Sequence, residues 1–137
     1  MRQLMETNVY EPHGRVVISG ACLEQMEPEA FGLLTRDADG VYSLCLENGH
    51  INMAITKIAA MLGTGRVTGM RIISVDRSPH CTQMHYIKHE LERTMEIGIP
   101  FESIIVSRGE IVRLSDETIE LSKSLAALEK LKSVKNW

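Results

Sequence analysis

The feature that most constrains this chain is its alternation of short β-branched runs with longer stretches of helical periodicity. Residues 15–20 read Arg-Val-Val-Ile-Ser-Gly, a strand closed by a glycine. Residues 41–46 alternate, with Tyr42, Leu44 and Leu46 on one face and Ser43 and Cys45 on the other. Residues 67–75 and 101–106 are further strands, and 111–114 follow the turn 107–110 as a hairpin partner. Between them, Pro28 opens a short helix over 29–35. Ile51, Ala54, Ile55, Ile58, Ala59 and Leu62 recur at helical spacing. Ser78-Pro79 starts another helix, with Ser as N-cap, Pro at the first helical position, and Met84, Ile87, Leu91 and Met95 on one face. Ser115-Asp116-Glu117 opens a last helix with leucines at 121, 125, 128 and 131.

Strands separated by helical connections require right-handed crossovers and parallel neighbours. The expected fold is an α/β three-layer sandwich with a largely parallel or mixed sheet. The alternative is α+β, with residues 14–46 and 101–114 each forming a hairpin. The length of 137 residues suits a single α/β domain over 1–137, with 1–13 as an N-terminal arm or short edge element.

Composition narrows function by exclusion. The 18 Asp and Glu against 15 Lys and Arg give a net charge of -3, without the basic excess of a general nucleic-acid binder. Two Phe, three Tyr and one Trp are too few for a base-stacking platform. Apolar runs stay far below the roughly 18 residues of a membrane span, and residues 1–6 lack an apolar signal core. The expectation is a cytoplasmic protein with no membrane and no general nucleic-acid binding.

The cysteines, Cys22, Cys45 and Cys81, are odd in number and widely spaced, unlike a secreted disulfide framework. No C-x-x-C pair exists for a redox dithiol or zinc ribbon. In an open α/β sheet, ligands bind beyond the carboxyl ends of the strands. If the strands are parallel, Cys22, His50, Asp76–Cys81 and Arg108 share one rim.

Residues 76–81, Asp-Arg-Ser-Pro-His-Cys, are the most informative segment. With Ser78 as N-cap, Cys81 falls at the third helical position, where free amides and the helix dipole favour an anion or a thiolate. Cys81 is then the candidate thiolate, His80 its acid–base partner and Asp76 the orienting carboxylate. Ser78, Arg77 and Arg108 are candidate anion-binding residues. A well-capped helix with a small residue tucked against the sheet is the structural alternative. A phosphatase loop fails because Ile87 stands where arginine is needed. A deaminase-type zinc motif fails because Met84 stands where a second thiol is needed. Residues 63–69 carry three glycines but precede a strand, so they are not a dinucleotide fingerprint.

Cys81, His85 and His89 recur every four residues. A Cys81–His85 pair completed by Cys22 or His50 is a candidate site for a transition metal. Three cysteines and a histidine also leave room for an iron–sulfur cluster, although the usual close spacing is absent. Two histidines on an exposed stripe are the plainer expectation. The chain thus reads as a protein with a thiol-based redox, metal or anion-binding site around Cys81. Alternatives are a non-catalytic homo-oligomerising or partner-binding subunit, and a small-anion or nucleotide binder at residues 78–81. Trp137 and the leucine stripe are the features that would contact a partner.

Overall fold

The computed structural model describes residues 1–132. Six strands form one sheet: β1 (Arg2–Gln3), β2 (Gly14–Gly20), β3 (Gly40–Leu44), β4 (Val67–Val75), β5 (Phe101–Ser107) and β6 (Glu110–Leu114). Their order is β1-β3-β2-β4-β5-β6. Every neighbouring pair is parallel except β5–β6, which is antiparallel. The mixed three-layer arrangement is therefore present. Residues 101–114 do form a hairpin. Residues 14–46 do not, because two helices return the chain so that β3 runs parallel to β2.

Those helices are α1 (Leu23–Met26) and α2 (Pro28–Thr35). The longer α3 (Ile51–Gly63) and α4 (Pro79–Thr94) cross on the other face, followed by α5 (Asp116–Ser122) and α6 (Leu125–Leu131). Strand periodicity divides the core accordingly. Val16, Ile18, Met70 and Ile72 pack under Ala54, Ile58 and Met61 of α3 and Met84, Ile87 and Leu91 of α4. Val17, Ile73, Ile104 and Val106 pack under Leu23, Ala30 and Leu34 of α1 and α2. Each large side chain fully buried this way contributes about 2 kcal/mol.

Of the two readings of the N-terminal segment, the edge element is the one present: β1 pairs with β3, and Leu4 is fully buried. Two local expectations change. The last helix is two helices, because the chain breaks at Lys123 and restarts from the Ser124 cap. Its stripe does not pack on the sheet: Leu125, Leu128 and Leu131 are exposed, and Ile119 is the anchoring residue. Trp137 lies outside the described residues. Among the described residues, no helix is long and apolar enough to cross a membrane.

Candidate functional site

The chain leaves β2 toward β3 across one face and leaves β4 toward β5 across the other. Because β2 and β4 are neighbours, their exit loops part company at the carboxyl edge, the switch point at which open α/β sheets form a ligand crevice. Gly20 forms one side of it and residues 76–81 the other.

Ser78 caps α4 as its spacing implies. Its Oγ accepts from the Cys81 amide at 3.3 Å, and Pro79 opens the helix. Cys81 is thereby held inward, only 9% exposed. Its Sγ stands 3.3 Å from where a side chain on Gly20 would begin, and Ser74 lies 3.5 Å from the same point. A methyl group at Gly20 would crowd the thiol, so the glycine permits the close approach of the two strand ends.

Ser74 links this crevice to α4 a second time. Its Oγ is 2.7 Å from His85 Nε2, and both residues are buried. Burial, reinforced by the neighbouring Lys88 ammonium, pushes His85 down to about 4. The imidazole is therefore neutral at pH 7. His85 does not lie on an exposed stripe as expected. Helix α5 packs against α4 and covers that flank. His89 is partly covered as well, with Nε2 3.1 Å from Glu120 Oε2.

Lys88, one turn after His85, is also buried, with its Nζ 2.8 Å from Glu92 and 2.9 Å from Asp116. Burial works against the ammonium, but hydrogen bonds to the two carboxylates outweigh it and hold its pKa above that of an ordinary lysine. The bond from Lys88 correspondingly lowers the pKa of Asp116.

The remaining rim residues are distributed more loosely. Asp76 is half-buried, and its amide donates to the Val106 carbonyl at 2.9 Å. His80, Cys22 and His50 are exposed. Arg77 and Arg108 are exposed with φ of 70° and 50°, a region that non-glycine residues rarely adopt. Arg108 and Gly109 form the tight turn of the β5–β6 hairpin. Arg77 bends the chain from β4 into α4.

The metal set of Cys81, His85, Cys22 and His50 is not assembled. Among the described residues, no three His, Cys, Asp or Glu side chains are grouped closely enough to hold one ion. The physical reason is visible at each member. His85 is turned to Ser74 beneath the helix, while Cys22 and His50 project from separate loops. The iron–sulfur arrangement lacks a ligand group for the same reason.

The roles of Ser74 against His85 and of Gly20 against Cys81 do not follow from spacing or motif. Ser74 is the polar residue within Ile72-Ile73-Ser74-Val75, and Gly20 ends its strand. A serine breaking an apolar run was the available signal for the first. A larger cavity of about 460 Å³ opens at the opposite, amino edge, with Arg15, Asp37, Arg71 and Glu102 on its walls. Two of these charges are paired, since Arg71 donates to Glu102 and to the Leu34 carbonyl and Arg113 also donates to Glu102, whereas the Arg15 and Asp37 side chains make no ion pair among the described residues. The carboxyl rim is the edge where this architecture places ligands.

A mostly parallel sheet, helices on both faces and a crevice where the strand order reverses define a doubly wound α/β domain. The chain belongs to the Rossmann-like domain family, whose model matches residues 12–136. No curated protein and no solved structure gives a match. The β2 exit, Gly20-Ala21-Cys22, has a single glycine and leads into a four-residue helix. It therefore lacks the glycine-rich cradle that holds a dinucleotide pyrophosphate in that position. The long capped helix follows β4 instead.

Proposed function

We propose that this domain binds a small anionic molecule, of phosphate or mononucleotide type, in the crevice between residues 20–22 and 76–81. The observation that carries this reading is the Cys81 thiol seated against Gly20, at the start of a 16-residue helix and at the reversal of strand order. Helix starts favour anions. Arg77 is near enough in sequence to contribute a cation from the strained turn, with Ser78 fixing the first helical turn. Arg108, at the exit of the adjacent β5, would act only from the margin. Asp76 and His80 would border the ligand, and Cys81 would lie on the crevice floor as its reactive group. The metal version of the site has less support because its ligands are not grouped. The redox version rests on Cys81 alone.

The test is alkylation of Cys81 by iodoacetamide, followed by peptide mass spectrometry, in the presence and absence of inorganic phosphate or AMP. The expected result is slower modification with ligand, accompanied by a rise in Tm. Unchanged modification with no thermal protection would remove the proposal.

A second reading, an oligomerising or partner-binding subunit, draws support from the exposed Leu125, Leu128 and Leu131. A monomer mass by light scattering at every concentration would remove its homo-oligomeric form.

A further inference from the structure

A second pocket, about 160 Å³, lies between α4, α5 and the β5–β6 edge. Its polar lining is Asp76, Thr82, His85, Tyr86, Thr118 and Ser122, and Ile105, Leu114 and Ile119 form an apolar wall. His85 on its wall is hydrogen-bonded through Nε2 to Ser74. His85 is 2% exposed, and its Nδ1 has no hydrogen-bond partner among the described residues. A buried polar atom left this way carries a desolvation cost unless something within the pocket satisfies it.

The existing hydrogen bonds decide what kind of group that is. The Thr82 hydroxyl already donates to the Ser78 carbonyl at 3.0 Å. The Ser122 hydroxyl donates to the Ile119 carbonyl at 2.7 Å, with the Tyr86 hydroxyl 3.4 Å from the same oxygen. Thr82 and Ser122 therefore offer lone pairs to the pocket, and the Asp76 carboxylate does the same. Neutral His85 has two tautomers against Ser74, and the one that donates Nε2–H to the Ser74 oxygen, which a donor ligand selects, leaves Nδ1 as another acceptor. Asp76 is the one charged side chain in the lining, and the nearby Lys88 is neutralised between Glu92 and Asp116. The pocket thus combines one negative charge and several acceptor oxygens with a mainly apolar lining, and the Tyr86 and Thr118 hydroxyls add groups that can donate or accept. At roughly 30 Å³ per water, its volume suits about five heavy atoms.

We propose that this pocket is a binding site for a short primary amine. The ammonium donates to Asp76, to the Thr82 and Ser122 oxygens and to His85 Nδ1, and the alkyl chain lies on Ile105, Leu114 and Ile119. This site differs from the anion reading of the rim in requiring a ligand of opposite charge and making no use of Cys81, although Asp76 stands at the border of both.

The test uses the full chain, labelled with ¹⁵N, and three probes of similar size: propylamine, 1-propanol and propionate. The readout is the His85 ring nitrogen resonance. Propylamine is expected to shift Nδ1 saturably, with a Kd of about 1–10 mM for so small a ligand. Asp76→Asn should weaken this at least about tenfold, as loss of one charge-assisted hydrogen bond implies. Ser122→Leu, which fills the pocket from a partly exposed position, should abolish it while leaving the amide spectrum folded. Equal binding of propanol or propionate would overturn the proposal. So would an absence of saturation, or an undiminished response in folded Ser122→Leu.

Discussion

At Gly20 an alanine methyl would stand 3.3 Å from Cys81 Sγ and 3.5 Å from Ser74 Cβ. The second is an ordinary contact, but the first is tight enough that the thiol must give by a few tenths of an ångström. Gly20→Ala is therefore expected to lower stability by about 1 kcal/mol in urea unfolding. In a Cys81→Ala background the penalty should fall by about 0.5–1 kcal/mol, the coupling of two residues in contact. Additive effects would show that the two do not touch. Arg77 presents the opposite case. Its φ of 70° costs about 1 kcal/mol, and among the described residues no ion pair offsets it. Arg77→Gly should raise the free energy of unfolding by about 0.5 kcal/mol while weakening phosphate protection of Cys81. Loss of stability in the glycine variant would contradict that account.

Helix α4 organises both candidate sites. One edge carries Cys81 to the rim, and His85 and Lys88 face α5 and the sheet. Its start depends on Ser78, whose Oγ takes the Cys81 amide. Ser78→Ala is expected to cost about 1 kcal/mol and to speed alkylation of Cys81 by fraying the first turn. Unchanged stability and unchanged modification would mean that the cap does not hold the thiol. This helix also shows what sequence periodicity can and cannot disclose. Met84, Ile87 and Leu91 announced the buried stripe, and Ser78-Pro79 announced the start. The burial of His85 and Lys88 was not legible, because it depends on α5 closing over a flank that the sequence alone presents as polar. The broken final helix was hidden for a related reason. Leu121, Leu125, Leu128 and Leu131 keep helical spacing across the Ser124 cap, so periodicity continues where the backbone does not.

For the whole molecule, the alternation of β-branched and helical segments disclosed the parallel sheet, and hence the rim that gathers residues 20–22 and 76–81. Strand order was not legible, since β3 and β4 both pair with β2 through long-range contacts that no local pattern encodes. The metal constellation failed at this scale: residues on one rim need not converge. Acid stability is also a property of the whole fold. Folding lowers His85 from 6.5 to about 4, so the unfolded chain binds the extra proton between these values. The His85 contribution is fully present above pH 6.5 and is lost as pH falls toward 4, by about 3 kcal/mol. Urea midpoints should fall over this interval, and less steeply in His85→Gln. An equally steep fall in that variant would assign the loss to other groups.

The proposed working edge of this domain is the switch point between β2 and β4, and an amide chemical-shift map during titration with AMP tests it. The expected result is saturable shifts clustered at residues 20–22 and 76–81, centred on Cys81. Shifts clustered instead around Arg15, Thr68 and Arg71 at the amino edge, or no saturable shifts at all, would contradict it.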